Sequence, residues 1–284
     1  MDDSKILITG ASGQLGRALQ AQYPKAHATD AAELDITDWR AVAGFDWSNI
    51  TTILNAAAYT NVDGAESPEG RIAAWRVNSQ AVANLTRIAR QKDLLIVHLS
   101  TDYVFDGNQK SHTEDEPLSP LGVYGASKAA GDVVISQADK YYLLRTSWVI
   151  GDGKNFVRTM LELGQKGIAP TVVADQIGRP TFTAELVRAI SHLLQNNPEY
   201  GLYNVTNGGE PVSWAQLTRE IFNEAGLSNN VNDTTTDEYF KDKPHTAVRP
   251  LNSLFDLSKI QAVGFTPTDW LNDLQEYIKK ELHQ

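Results

Sequence analysis

The chain contains no cysteine and only 2 methionines in 284 residues. The first absence excludes disulfide bonds, thiol nucleophiles and thiolate metal sites, and it suits a protein of the reducing cytoplasm. No stretch approaches the ~20 consecutive apolar residues of a membrane-spanning helix. The N-terminal MDDSKILITG carries acids where a secretory signal carries basic residues, so the expected location is cytoplasmic. Positive charge is also short: 25 Lys and Arg against 35 Asp and Glu give a net charge of −10. Such a field repels nucleic acid, and neither a nucleic-acid nor a membrane partner is expected. An anionic small substrate would have to be met by local cations. The 6 histidines form no H-E-x-x-H or other close ligand pair, so no catalytic metal is expected.

What is present is the composition of a globular chain, 42% hydrophobic and 21% charged, long enough for one large or two small domains. Short apolar runs alternate with helical patterns. Strands are expected at Ile6–Thr9, Ala26–Thr29, Thr52–Asn55, Leu94–Ser100 and Tyr142–Thr146, and again at Leu202–Val205. That alternation predicts an α/β fold, a doubly wound parallel sheet with helices on both faces. Ligand groups should then gather at the carboxyl ends of the strands, where Gly13, Asp30, Ala58, Thr101 and Trp148 stand. The polar stretch from Asn229 to Lys243 reads as an exposed loop. His98, inside an apolar run, reads as a core histidine. Arg179, between Gly178 and Pro180, reads as part of a turn.

The first strand runs straight into Gly10-Ala-Ser-Gly13-Gln14-Leu15-Gly16, and a helical pattern covers Arg17 to Gln22. A strand, a glycine turn and a helix N-terminus make a pyrophosphate site, because free backbone N–H groups and the helix dipole face the anion. The spacing is G-x-x-G-x-x-G, not the standard G-x-G-x-x-G. Asp30 ends the next short strand, where a carboxylate binds the hydroxyls of an adenosine ribose; Asp35 and Ile36 follow it in the same half of the site. Residues 1–150 are therefore expected to form a Rossmann-like NAD(P)-binding domain, which the chain re-enters around residues 184–206. Residues 151–284 are expected to form a smaller, discontinuous α/β substrate domain.

A second constellation lies in LSTDYVFDG and PLGVYGASK. Tyr124 and Lys128 stand at i and i+4, so a helix places both on one face. Free tyrosine titrates near pH ~10, and a nearby ammonium stabilises the phenolate and lowers that value. Thr101, at the end of an apolar run, offers a hydroxyl to the same centre. A hydroxyl, a tyrosine and a lysine around one carbonyl make a proton-transfer site.

NAAAYTNVDGAE, STDYVFDG, PLGVYGASK, RTSWVIG, DQIGRPT and RPLNS follow one another along the chain. With the glycine motif they resemble the extended short-chain dehydrogenase/reductases. The SWV, DQIGRPT and RPLNS segments narrow the resemblance to the dTDP-4-dehydrorhamnose reductase family, from Lys5 to about Trp270. The resemblance implies reduction of the C4 ketone of dTDP-4-dehydro-L-rhamnose by NADH or NADPH, the last step in making a sugar donor for cell-wall polysaccharide. It implies Tyr124 as the acid, Lys128 as its tuner and a nicotinamide-ribose ligand, and Thr101 as the group that orients the carbonyl. It places Ala58, Tyr59 and Thr60 along the cofactor, and Val62, Asp102 and Trp148 at the sugar. Arg249 and Asn252, in RPLNS, fall to the substrate, with Arg249 on its pyrophosphate.

Related chemistries are weighed by the same segments. Nucleotide-sugar 4,6-dehydratases follow the equivalent threonine with an Asp–Glu pair, whereas here Thr101 is followed by Asp102 and Tyr103, so dehydration is not expected. Epimerases keep the tyrosine and lysine and stay open on physical grounds. A non-catalytic relative, the regulatory subunit of methionine adenosyltransferase, also resembles these reductases, and the intact SWV and DQIGRPT favour the enzyme. Some reductases of this family dimerise through magnesium held by a glutamate two residues past the last glycine. Ala18 stands there in this chain, so a monomer or weak homodimer is expected.

Overall fold

The computed structural model describes every residue except Met1, His245 and Gln284. Its centre is a 6-stranded parallel sheet built from β1 (Ile6–Thr9), β2 (His27–Thr29), β3 (Thr52–Asn55), β4 (Leu95–Thr101), β5 (Tyr141–Thr146) and β10 (Gly201–Asn204). The order across the sheet is β10-β5-β4-β3-β1-β2. These strands read as continuous apolar runs because both faces are buried. Ile6, Ile8, Leu54, Val97, Tyr142 and Leu144 point into one core, while Leu7, Ile53, Ile96 and Leu143 point into the other, as the period-2 alternation of a strand requires.

Helices cover both faces. On the first lie α1 (Gln14–Gln22) and α7 (Thr183–Asn196), through Leu15, Leu19, Leu186, Ile190 and Leu193, with α10 (Ser258–Ala262) adding Ile260. On the second lie α2 (Trp39–Gly44) and α4 (Ala81–Lys92), through Val42, Val82, Leu85 and Ile88. The C-terminal end of α5 (Val123–Ile135) joins them through Ile135. Before α4, α3 (Pro68–Trp75) starts at a Ser67 cap with Pro68 in its first turn and runs into a π-helical turn at Arg76–Gln80. From β1 the chain steps to β2 on one side and then to β3 on the other. That reversal opens a crevice at the carboxyl ends of the strands, where open α/β sheets bind their ligands.

A third core lies beyond β5. It joins α6 (Phe156–Gln165), α8 (Trp214–Glu224) and α11 (Trp270–Leu282) through Val157, Leu161, Leu217, Ile221, Leu274 and Ile278. Around it run three two-stranded pairs: β6 (Val149–Ile150) with β9 (Thr181–Phe182), β8 (Ile177–Gly178) with β11 (Val212–Ser213), and β7 (Thr171–Val173) with β12 (Asn232–Thr234). The chain returns to the main sheet through α7 and β10, which pairs with β5.

One expectation fails here. The segment Asn229–Lys243 is not a loop throughout: it holds β12 and then α9 (Thr236–Phe240). Asp175 anchors it by accepting the Thr236 N–H at 2.9 Å and the Thr236 hydroxyl at 2.8 Å. The Thr235 hydroxyl caps α9 by accepting the Glu238 N–H. Among the described residues no helix is long and apolar enough to cross a membrane.

Candidate active site

The glycine turn has a separate physical reason at each glycine. Gly10 adopts φ +72°, and a Cβ there would lie 2.6 Å from the Ala57 backbone. A Cβ on Gly16 would overlap the Gly10 carbonyl oxygen. Gly13 is the N-cap of α1 and has no side-chain cap, so the first N–H groups of the helix stay open to a ligand. The turn is pinned by the Ala11 N–H on the Thr29 carbonyl and by the Ser12 N–H on Asp30 Oδ2 at 2.9 Å.

Two hollows meet at this turn. One, of about 260 Å³, is walled by Gly10, Gly13, Asp30, Asp35, Ile36 and Ala57 among others. The other, of about 530 Å³, carries Gln14, Leu15, Thr60, Val62, Thr101, Asp102, Tyr124, Lys128 and Trp148. Gly13, Ala56 and Ala58 border both, so one extended molecule can run from the first into the second. The residues present fit a dinucleotide: a bare helix N-terminus for the pyrophosphate, a carboxylate at the end of β2 for a ribose, and a passage to the tyrosine. Tyr59 stands aside from both walls. Its N–H donates to Asn78 Oδ1, its carbonyl accepts from Asn78 Nδ2, and it packs against the small cluster of Ala65, Ala74 and Tyr124.

Tyr124 sits in the first turn of α5, and Glu66 sets that turn. The N-cap Gly122 has no side chain to offer, and Glu66 Oε1 accepts the Val123 N–H at 2.9 Å. Asn78 steadies the next turn, donating to Ser127 Oγ at 3.0 Å. Lys128, one turn on, is buried at 2% exposure. Its Nζ donates to the Leu99 carbonyl at 2.5 Å and lies 3.5 Å from His98 Nε2. Burial lowers the Lys128 amine to about 8, against the pull of Asp132.

The phenol departs from the sequence expectation. Burial pushes Tyr124 above its ordinary value, and Asp102 and Asp132 push the same way, while a hydrogen bond with Thr101 opposes them. The Lys128 ammonium points to the β4 backbone, so its charge does not reverse the burial effect. Tyr124 is thus held as the phenol, the form that an acid needs.

Thr101 and Asp102 form one unit. Thr101 Oγ1 donates to Asp102 Oδ1 at 2.8 Å, and Ser253 Oγ donates to Asp102 Oδ2 at 2.5 Å. Burial raises the Asp102 carboxyl, and these two hydroxyls hold it down.

On the far wall, Trp148 takes a left-handed backbone, φ +49°, and stacks on Trp214 with ring centroids 3.7 Å apart. One face of its indole is therefore covered by protein. Arg249 and Asn252 do not reach the cleft. Arg249 Nη2 donates to both carboxylate oxygens of Asp63 at 2.9 Å, and its guanidinium lies over the Phe240 ring. Asn252 Nδ2 donates to the Gln109 and Lys110 carbonyls. Their neighbours Pro250 and Ser253 line the cleft instead. Arg179 binds the Gly209 and Phe255 carbonyls, a structural duty.

Glu66, Ser253, Trp214 and Gln176 are absent from the sequence-based site. Gln176 and Ser253, which line the cleft, lie inside DQIGRPT and RPLNS. Nothing local marks Glu66 or Trp214. Among the described residues, no group of 3 or more His, Cys, Asp or Glu side chains converges as metal ligands would.

Comparison with known proteins agrees with this geometry. The family model described as "RmlD substrate binding domain" matches residues 4–283. The dTDP-4-dehydrorhamnose reductase of Aggregatibacter actinomycetemcomitans is 41% identical over 295 aligned positions, covering 96% of this chain and 97% of the relative. A crystal structure of a dTDP-4-dehydrorhamnose reductase from Clostridium acetobutylicum superposes with a TM-score of 0.91 at 36% identity, over 98% of this chain and 99% of that one. One from Bacillus anthracis, in complex with NADP, superposes with a TM-score of 0.88 at 34% identity, over 97% and 98% of the two chains. The match extends over the glycine turn, the helix that carries Tyr124 and the third core alike, and the chain belongs to the RmlD family, the family of the dTDP-4-dehydrorhamnose reductases.

Proposed function

We propose that this protein reduces the C4 ketone of dTDP-4-dehydro-L-rhamnose to dTDP-L-rhamnose with NADH or NADPH. The observation that carries the reading is the continuity of the two hollows at Gly13, Ala56 and Ala58, which leads a dinucleotide from the bare N-terminus of α1 to Tyr124. The reduced nicotinamide, when bound, supplies hydride to the carbonyl carbon. Everything else falls to the protein. Gly10, Gly13, Gln14, Leu15 and Gly16 receive the pyrophosphate, and Asp30, Asp35 and Ile36 receive the adenosine end. Ala58 and Thr60 border the passage.

Tyr124 holds the proton that the developing alkoxide takes. Thr101, whose hydroxyl donates to Asp102, orients the ketone carbonyl beside the phenol. Lys128 stands behind the phenol, within reach of a nicotinamide ribose. Val62, Asp102 and Trp148 face the sugar. In this reading residues 1–150 and 184–206 hold the cofactor and the rest of 151–284 holds the nucleotide sugar. The enzyme works in the cytoplasm as a monomer or weak homodimer, and its product serves cell-wall polysaccharide.

The deciding experiment follows NADH oxidation with dTDP-4-dehydro-L-rhamnose and with a panel of other 4-keto nucleotide sugars. Turnover is expected to be fastest with the first. Equal or faster turnover of another sugar, or interconversion of C4 epimers without net cofactor oxidation, would replace this reading.

A further inference from the structure

A chain of buried polar groups runs from the cofactor turn to Lys128. The Ala57 N–H donates to Asn55 Oδ1 at 3.2 Å, and the Thr9 hydroxyl meets the same oxygen at 2.8 Å. A backbone N–H can only donate, so the atom it meets is the amide oxygen. Asn55 Nδ2 is then the atom facing His98 Nδ1, 2.8 Å away. An amide nitrogen can only donate, which makes His98 Nδ1 an acceptor. His98 has no exposed surface, and burial together with Lys128 keeps it well below its ordinary value. The ring is neutral, its single proton is on Nε2, and Nε2 is the atom that faces Lys128 Nζ at 3.5 Å.

We infer that His98 is locked as the Nε2–H tautomer and serves as a positioning residue for Lys128, presenting a donor that opposes the ammonium and favours the neutral amine. The ammonium donates to the Leu99 carbonyl at 2.5 Å, and once it sheds a proton the lone pair of the amine accepts the His98 N–H. The remaining ionisable groups around Lys128 are Tyr124 and Asp132 on α5, Asp102 after β4 and Arg145 on β5. Asp132 favours the ammonium, yet its carboxylate is already paired with Arg145 at 3.0 Å. His98 is the ionisable group whose side chain touches Nζ. Below about pH 8 Lys128 carries its proton, so when Tyr124 gives up its own, ammonium and phenolate together keep the buried site neutral.

The first test needs no variant that must stay active. In protein labelled with ¹⁵N-histidine, the His98 signal is the one lost in His98→Gln. It is expected to report Nε2–H throughout the range of about pH 5 to 8 in which free histidine titrates. An Nδ1–H tautomer, or titration within that range, would overturn the inference.

The second test is kinetic and rests on the reductase reading. Asn55→Asp places an acceptor against Nδ1, moving the ring proton there and turning Nε2 into an acceptor for the ammonium. His98→Gln can turn its amide oxygen to Lys128. In both variants the alkaline limb of the kcat/KM profile is expected to move up by about one pH unit. A purely structural role would lower activity without moving that limb, and an unmoved limb in both variants would sink the proposal. A wild-type protein without reductase activity would remove the reductase reading and leave the tautomer result standing.

Discussion

Ser253 Oγ lies 2.5 Å from Asp102 Oδ2 and joins segments 151 residues apart at the wall of the larger hollow. Both side chains are buried, and the other oxygen of Asp102 receives the Thr101 hydroxyl. The C-terminal segment therefore holds the carboxyl that orients Thr101. Ser253→Ala leaves a buried carboxylate oxygen without its donor, a loss of about 1–3 kcal/mol. Urea unfolding is expected to show that loss, and kcat is expected to fall with it. Ser253→Thr, which restores the hydroxyl, should recover much of both. A Ser253→Ala enzyme of unchanged stability and kcat would show that Asp102 needs no second donor.

In the proposed mechanism Tyr124 supplies the proton that the alkoxide takes. Tyr124→Phe is expected to lower kcat by about a hundred- to ten-thousand-fold, the usual worth of a positioned acid. Dinucleotide affinity should stay within error, because the phenol contributes little to the passage that binds it. Lys128→Met should damage kcat similarly and weaken dinucleotide binding as well. Near-normal turnover by the phenylalanine variant would require another acid.

The sheet was legible because each central strand is apolar on both faces. Ile6–Thr9 and Thr52–Asn55 form as expected, and β4 and β5 differ by one residue at their ends. The strand and helix within Asn229–Lys243 were missed because β12 is polar and mostly exposed, without the apolar alternation that marks a strand. The cap at Thr235–Glu238 was the one local signal there. In the site, Tyr124, Lys128 and Thr101 announce themselves by type and spacing. Glu66 and Ser253 act across the fold on Val123 and Asp102, and no periodicity records such a contact. Arg249 shows the converse: an arginine suited to a pyrophosphate is engaged instead by Asp63.

Cofactor preference should follow Asp30. Its carboxylate borders the smaller hollow, and Glu33 lies beside it, accepting the Asp30 N–H at 2.9 Å. Arg17, the cation nearest in sequence to the glycine turn, is held by the Ser12 carbonyl and by Asp152. NADH is therefore expected to give the higher kcat/KM, by a modest factor. Asp30→Asn should raise kcat/KM for NADPH about five- to tenfold, since a unit-charge repulsion at ~4 Å in water is worth about 1 kcal/mol. A strong NADPH preference in the unaltered enzyme would mean that the 2′-hydroxyl does not lie at Asp30.

Chelation should leave the enzyme unaffected. Magnesium needs oxygen ligands, and Ala18 packs its methyl group against the core under α1. Activity and light-scattering mass are expected to be the same with and without EDTA. A dimer that dissociates on chelation would show that other carboxylates hold a bridging ion.

The buried amine of Lys128 gives stability a defined pH dependence. Burial lowers it to about 8 in the folded protein, while in the unfolded chain it returns to about 10.4. Below the lower value both states carry the proton, and the folded state bears the full cost of a buried ammonium. Between the two values the unfolded chain holds a proton that the folded protein has shed. Stability from this group therefore rises with pH across that window. Lys128→Met removes the titration. Whatever the gap in unfolding free energy between variant and wild type at neutral pH, it should move in favour of the wild type as pH climbs from about 8 to about 10. Paired urea melts across that range measure the gap. A gap that stays constant would mean that Lys128 keeps its ordinary proton affinity inside the fold.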